Sequence, residues 1–585
     1  MTDSAFVFHG TAYVEGETFG ELLSSSEELS FWGGVNPQTG EIVDRHHELS
    51  GRHLQHSILA IPSGRGSCSA SGVMLELIRN GKGPNAILFE RREDILTLGV
   101  MIAEEIFNIA IPIVRLQPDG FRQLVGHCGS RVHVLGGCVK VGELSGAGNS
   151  YSLGVSRSSI HTNSVTLSET DQAFLDGTYG EAARVSMRII LRMAKLLEAS
   201  ELMDVSQVHV DGCIYTGPAA LALAEKLRDW GGKVRVPTSL NSISIDLKRW
   251  RTQAVDAVFA GNAESLAQAY IDMGARPTFT CAPYQLGTAP KFGEQVAWAE
   301  SNAVIYANSV LGARTMKLPD FLDIAIALTG RAPKGGCHLD ANRLASLVVT
   351  IPDIDARGID DSFYPLLGYH VGSLAASRIP VIVGISSLAP NKDNLKAFGA
   401  AFATLSSAPM FHILGVTPEA TTLNAVLSKE PNIQTITITL PELSSCWEQL
   451  NGASTKDVGL ISLGNPHFSL QEVRKLAELC QGRKKRDSVA VIVTCGRACY
   501  GLASQAGLIA VLEEFGVQFL TDTCWCMIKE PVIVPSANAI MTNSAKYAHY
   551  GPGLTGREFL FGSLAQCVDV ACEGGFLRRK PLWLQ

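Results

Sequence analysis

The sequence predicts an α/β protein built on parallel sheets and divided into several domains. Three observations carry this. Short apolar runs alternate with helix-period segments along most of the chain. Many of those helical segments stop at a glycine, the residue expected just past a helix C-terminus. The chain has 585 residues, about twice the length at which a single core stops growing.

Taken in order, residues 1–147 form a first unit. It holds strand-like runs at 5–7, 57–61, 86–89 and 131–134, and helical patterns at 68–79 and 95–108. The stretch 142–164 is rich in Gly and Ser and lacks a hydrophobic period, and the linker is placed at 148–165. The remaining unit, 166–585, is expected to contain two to three α/β subdomains. It opens with a capping pattern, Ser168-x-x-Asp171, ahead of a long helix over 182–197. Strands at 207–210, 233–236 and 278–280 alternate with helices at 218–230 and 263–273. A helical stretch is expected over 293–311. The alternation returns late: strands at 459–463, 489–494, 517–520 and 539–541, with helices at 470–480 and 499–515.

Composition excludes several classes. Hydrophobic residues make up 46% and charged residues 18%, which rules out a mostly disordered chain. The 49 basic and 56 acidic residues leave a net charge of −7, and the longest basic run is Arg483–Arg486, so nucleic acid is not an expected partner. The first residues lack a basic and apolar leader pattern, and the long apolar stretch 95–114 carries Glu104 and Glu105, so neither export nor a membrane span is expected. A cytoplasmic monomer or homo-oligomer is the expectation. The 14 cysteines should then be thiols, and any cluster of them points to metal or catalysis.

Ligands of open α/β sheets bind beyond the carboxyl ends of the strands. Here those ends lead into Gly464-Asn465-Pro466-His467, Cys495-Gly496-Arg497, Thr523-Cys524-Trp525-Cys526 and Asn543-Ser544-Ala545-Lys546, and earlier into Cys281-Ala282-Pro283-Tyr284. Polar and thiol residues therefore collect on one rim. Thiolates suit iron–sulfur clusters and zinc, although a free cysteine is more often a small buried hydrophobe, and no paired C-x-x-C spacing is present. Gly64-Arg65-Gly66-Ser67, between a strand and a helix, reads either as an anion site at a helix start or as a tight turn with Ser67 as its cap. The same glycines permit a dinucleotide reading, weakened by the missing third glycine. His370 and His467 lie in Gly-flanked segments read as loops, and each is either structural or functional. Arg314 is either a carboxylate clamp or half of a salt bridge, and Lys546 is an anion contact near a helix start.

Longer motifs carry a resemblance. Phe31-Trp32-Gly33-Gly34-Val35-Asn36-Pro37 and Pro62-x-Gly64-Arg65-Gly66-Ser67 are similar to the small-subunit signature of the aconitase X family. Thr280-Cys281-Ala282-Pro283-Tyr284, Asn308-Ser309-x-x-Gly312-Ala313-Arg314, Gly368-Tyr369-His370 and Thr542-Asn543-Ser544-x-Lys546 are similar to its large-subunit signature. The resemblance spans nearly the whole chain, in the family's order, as a fused single-chain form. It implies an aconitase-like large part with an iron–sulfur centre, [2Fe-2S] or [4Fe-4S], and an N-terminal swivelling α/β domain that brings a catalytic serine, Ser67. Cys281 and Cys524 match two ligand positions. The third, a cysteine in archaeal relatives, is Asn465 here, and Cys495 on a neighbouring strand end is the expected substitute. Arg65, Asn308, Ser309, Arg314, His370, His467, Asn543, Ser544 and Lys546 are the expected substrate-binding set.

The family resemblance implies a hydro-lyase. The expected reaction is dehydration of cis-3-hydroxy-L-proline to Δ1-pyrroline-2-carboxylate, with iron as Lewis acid at the 3-hydroxyl and Ser67 as base for the C2 proton. Helix-start amides and Arg65 are the expected support for a seryl alkoxide. The alternatives are dehydration of mevalonate 5-phosphate, a nicotinamide-dependent oxidoreductase using 64–69, and an RNA-binding role.

Overall fold

The computed structural model describes residues 6–45, 47–142, 165–351, 354, 356–429, 432–455, 457–575 and 580–585. Most of the expected linker, 148–165, lies outside them. The chain divides into two compact units: residues 1–237 with 272–274 and 318–335, and residues 238–271 with 275–317 and 336–585. Among the described residues no helix is long and apolar enough to cross a membrane.

The first unit is built on a closed seven-stranded barrel. Its order is Phe6–Val14, Ile113–Leu116, Ala86–Phe89, Ser57–Ile61, Glu17–Ser24, Arg131–Leu135, Cys138–Val141 and back to Phe6–Val14. The four middle strands pair in parallel and the others antiparallel. Closure removes the sheet edges. Phe8, Leu22, Ile58, Leu88, Val114 and Val134 fill the interior. Two of these strands, Glu17–Ser24 and Cys138–Val141, were not in the expected set, while Ile113–Leu116 is the strand that the apolar stretch 95–114, read as a buried helix and strand, leads into.

Residues 165–237 belong to this same unit, although the sequence groups them with the large part. A buried ion-pair cluster is one reason. Arg192, on the helix Glu181–Leu196, meets Glu104 at 2.6 Å and Glu105 at 2.9 Å on the helix Ile95–Phe107. The Ser168–Asp171 capping box is formed, but it starts a separate short helix, Glu169–Leu175.

The second unit carries two parallel sheets. One has the order His412–Ile413, Pro380–Val383, Leu347–Thr350, Gln434–Thr437. The other has the order Val517–Leu520, Ala490–Cys495, Leu460–Phe468, Ala539–Thr542, Glu558–Phe561. Every residue of Leu460–Phe468 is buried, as a strand covered on both faces requires. One apolar cluster joins the two sheets and their helices, from Phe363 and Phe398 on helices to Phe519 and Phe561 on strands.

Several expected elements are corrected. No strand forms at 233–236: Val234 donates its amide to the carbonyl of Met273, in a turn, and Arg235 to that of Ala327, in the helix Leu322–Thr329, and the strand is Thr238–Leu240. Residues 278–280 form no strand: Phe279 stands at φ +42°, and the segment is tied to Leu240 through the Thr278 hydroxyl and the Thr280 amide. The stretch 293–311 contains a strand, Ala297–Trp298, a helix, Ser301–Tyr306, and a π-helical turn, Ala307–Leu311. The helix expected over 499–515 is two, Arg497–Gln505 and Leu508–Phe515, broken at Gly507 with φ +74°. Tyr369 and His370 lie within the helix Phe363–Ala375, not in a loop.

That helix shows why glycine stands beside Tyr369. A Cβ on Gly368 would sit 2.2 Å from the Phe398 carbonyl oxygen, and one on Gly372 would sit 2.7 Å from that of Phe402. The helix Lys392–Leu405 thus approaches backbone to backbone. Gly368→Ala is expected to destabilise the protein by about 1–3 kcal/mol through forced separation of the helices. The fall should be read as a lower denaturant midpoint with an unchanged m-value. A midpoint equal to wild type would show that the helices part without cost.

Candidate active site

The five-stranded sheet fixes the position of one constellation. Its chain path runs outward from Leu460–Phe468 through Ala490–Cys495 to Val517–Leu520. It then returns to the other side of the first strand as Ala539–Thr542. The order reverses at Leu460–Phe468, and the crevice at the carboxyl ends of strands flanking such a reversal is where ligands bind. The segment 464–467, expected as a loop, continues the strand instead, with the ladder register shifting between Leu463 and Phe468. Asn465-Pro466 is a cis peptide there.

His467 braces this rim. Its Nε2 donates to the Thr523 carbonyl at 2.7 Å, so its Nδ1 is the acceptor for the Thr280 hydroxyl at 3.1 Å. Burial lowers its pKa to about 4, keeping the ring neutral. Its backbone amide donates to Cys281 Sγ at 3.4 Å. One imidazole thus ties together the two segments that carry Cys281 and Cys524.

Cys281, Cys524 and Cys526 influence one another electrostatically in this rim. Burial, then the Cys524 and Glu300 charges, raise the Cys281 thiol. Cys524 and Cys526 share a hydrogen bond that raises the first and lowers the second to about 7, with Lys546 also favouring the Cys526 thiolate. Asn465 Nδ2 donates to Cys526 Sγ at 3.5 Å. The position that departs from the archaeal cysteine therefore faces a thiol supplied from another strand end. The sequence reading passed over Cys526. The available signal was two cysteines one residue apart on a strand-end loop.

Cys495 stands elsewhere. It is buried, and its thiol hydrogen-bonds to Cys499, with Arg249 and Asp522 as its other charged neighbours. Among the described residues no three His, Cys, Asp or Glu side chains stand in the closed arrangement of a metal site. In kind, the donors of the rim fit an iron–sulfur centre. They are soft thiols, Cys281 and Cys524 buried and Cys526 half-buried, with the Lys546 amine beside them, and the buried Thr523 Oγ1 has no hydrogen-bond partner.

Lys546 pairs with Glu300 at 3.2 Å. Burial presses its pKa down, but the charges of Glu300 and the three thiols more than offset this and hold the amine protonated. Ser544 accepts the Tyr547 amide at 3.2 Å and so caps the helix Ala545–Thr555, and Asn543 follows the strand Ala539–Thr542. The rest of the expected substrate set in this unit is engaged by the fold. Asn308 bonds the backbone of Thr315 and Pro409 and the buried Arg343. Ser309 accepts the Phe411 amide at 2.9 Å. Arg314 forms an ion pair with Asp340. His370 meets Cys446 at 3.5 Å, and burial lowers its pKa.

The second constellation lies in the first unit. Gly64–Arg65 pairs with Leu29–Ser30, and Arg65 Nη2 meets Asp44 at 3.0 Å. The helix starts at Ala70, two residues later than expected. The half-buried Ser67 hydroxyl donates to Ser69 Oγ at 3.2 Å and accepts the Ser69 amide at 3.3 Å. Ser69 Oγ donates to Asp211 Oδ2 at 3.3 Å. Asp320, 3% exposed, hydrogen-bonds both Asp211 and Ser69. Burial, followed by the Asp211 and Asp323 charges, raises the Asp320 pKa far above the carboxylate range. Acidic groups at this helix start oppose a bound pyrophosphate, which counts against the dinucleotide reading.

Comparison with known proteins assigns the chain. The Aconitase X swivel domain model matches residues 7–141, and the first, second and third domain models match 164–341, 345–448 and 458–573. A cis-3-hydroxy-L-proline dehydratase of Hypocrea jecorina is 61% identical over 578 residues, covering 98% of this chain and 96% of the relative. Another of that name, from Pseudomonas aeruginosa, is 48% identical over 571 residues, covering 98% and 97%. The crystal structure of Thermococcus kodakaraensis aconitase X in its holo form superposes with a TM-score of 0.62 at 30% identity, over 70% of this chain and 100% of that one. With swivel and large-part domains joined in one polypeptide, the chain belongs to the aconitase X family.

Proposed function

We propose that the chain is a hydro-lyase that converts cis-3-hydroxy-L-proline to Δ1-pyrroline-2-carboxylate. The observation that carries the chemistry is the gathering of Cys281, Cys524 and Cys526 at the sheet's reversal point beside Lys546. The substrate follows from the two relatives similar along nearly their full lengths. The three thiols would hold an iron–sulfur centre, which supplies a Lewis acid for the departing 3-hydroxyl.

The residues of the chain do the rest. Hydroxide is a poor leaving group, so C2 must lose its proton in a matched step. In the cis isomer the C2 hydrogen lies on the ring face opposite the hydroxyl, so elimination is anti and the base attacks from the far side. Ser67 is that base, and Lys546 holds positive charge near the substrate carboxylate. The C2–H and C3–O bonds break and a C2–C3 double bond forms. The resulting enamine tautomerises to the Δ1 imine.

The Ser67 side of this scheme differs from the sequence expectation in one respect. Arg65 is paired with Asp44, and carboxyl groups approach the helix start. Both disfavour a free alkoxide there.

An anaerobic assay of purified protein, with iron and acid-labile sulfide measured on the same sample, tests the proposal. Turnover of cis-3-hydroxy-L-proline in preference to mevalonate 5-phosphate is the expected result. Iron-loaded protein that prefers the phosphate ester, or turns over neither, would overturn it.

A further inference from the structure

A base for a carbon acid needs somewhere to send its own proton. Ser67 is half-buried in a turn whose hydrogen bonds run one way: Ser67 Oγ to Ser69 Oγ at 3.2 Å, and Ser69 Oγ to Asp211 Oδ2 at 3.3 Å. Each can donate toward Asp211, and Ser69 also hydrogen-bonds Asp320 beside it. Ser69 is 3% exposed and Asp211 is 1% exposed, so water has little access to the inner end.

The inner end is also rigid. Asp323 Oδ2 accepts the Asp211 amide at 2.7 Å and the Gly212 amide at 3.3 Å, while its Oδ1 accepts the amides of Phe321 and Ile324. The Asp320 amide donates to the Cys68 carbonyl at 3.3 Å, and the Ser71 hydroxyl donates to the Asp320 carbonyl at 3.3 Å. The loop carrying Asp320 is thus pinned to the turn carrying Ser67. Asp320 Oδ1 is buried with no hydrogen-bond partner. Asp320 hydrogen-bonds Asp211, and burial, followed by the Asp211 and Asp323 charges, pushes the Asp320 pKa well up, so Asp320 is the carboxyl that keeps a proton.

We propose that Asp211, acting through Ser69, is the proton acceptor that makes Ser67 a base, with Asp320 holding the pair's resident proton. This rests on the reading of Ser67 as the base. The balance is closed. The C2 proton bonds to Ser67 Oγ as the Ser67 proton moves to Ser69 Oγ and the Ser69 proton to Asp211 Oδ2. Hydroxide leaves C3 with its electron pair. After product departs, the proton on Asp211 returns along the same path and leaves with the hydroxide as water. Ser69 and Asp211 are positioning residues, since neither touches substrate.

Ser69→Ala is the cleanest test. Ser69 occupies the N-cap of Ala70–Arg79 but its side chain makes no capping bond, so the helix does not depend on its hydroxyl. The variant should lose kcat by about 10²-fold, within the range for a lost proton-transfer group, with KM nearly unchanged. The kinetic isotope effect with C2-deuterated substrate should rise, because C–H cleavage becomes rate-limiting. Ser69→Thr, which restores a hydroxyl, should recover most of the rate. Asp211→Asn should reproduce the Ser69→Ala pattern. Melting temperature and iron content, measured on each variant, should match wild type.

If Ser69→Ala and Asp211→Asn keep wild-type kcat while Ser67→Ala is inactive, the relay is wrong and the base assignment stands. If Ser67→Ala itself retains activity, the base assignment fails and the relay fails with it. A fall in kcat that tracks a lower melting temperature, with an unchanged isotope effect, also overturns the relay.

Discussion

Ser67→Ala is expected to lower kcat by about 10²–10⁴-fold, the span that a positioned proton-transfer group contributes. KM should barely move, because the interaction lost is one made in the transition state and not in the bound ground state. The structural cost is small. Ser67 is half-buried, and its hydroxyl hydrogen-bonds the Ser69 hydroxyl and amide. Iron and sulfide content should be unchanged, since the thiols that would hold the centre are all in the other compact unit. The measurement is steady-state kinetics beside metal analysis on one preparation. Activity within a factor of about two of wild type would remove Ser67 from the mechanism. Joint loss of activity and iron would make it a structural residue instead.

Sequence reading was strongest where one physical cause acts locally. Continuous apolar runs bounded by glycine are dictated by strands buried on both faces, and the first half of Leu460–Phe468 and most of Ala490–Cys495 came through at once. The collection of thiols and polar residues at strand ends was legible for the same reason, because parallel strands point their carboxyl ends one way.

What stayed hidden depends on tertiary partners. Glu17–Ser24 is exposed or half-buried over its first five residues and shows no alternation, so only barrel closure makes it a strand. His370 sits near Gly368 and Gly372 and so reads as a loop residue, yet those glycines serve close helix packing. Asn308 looks like a ligand contact in its motif, but the buried Arg343 and the backbone of Thr315 claim its amide. Ser69 reaches Asp211 from 142 positions away, a pairing that no local pattern encodes. Cys495 lies on the next strand end in chain order. Hydrogen bonding to Cys499, one helical turn onward, engages its sulfur.

That last contrast yields the second large effect. Cys281→Ser, Cys524→Ser and Cys526→Ser should each lose bound iron after anaerobic reconstitution. Each should lose more than the ~10–100-fold in metal affinity that removing an outer-shell partner costs, because a soft donor is replaced by a hard, poorly ionised one. Cys495→Ser should retain iron, sulfide and visible absorbance, because its thiol is engaged with Cys499. The reverse pattern, with iron kept in Cys526→Ser and lost in Cys495→Ser, would return the third ligand to Cys495. Asn465 allows a stricter form of the experiment. Its amide lies 3.5 Å from Cys526 Sγ, so a cysteine at 465 would place a thiol on the same ground. Asn465→Cys in the Cys526→Ser background should therefore restore iron. In the Cys281→Ser background it should restore little, since that thiol is set by the Thr280–His467 brace, from which residue 465 is absent. Rescue of one background and not the other would locate the third donor by position and not by cysteine count.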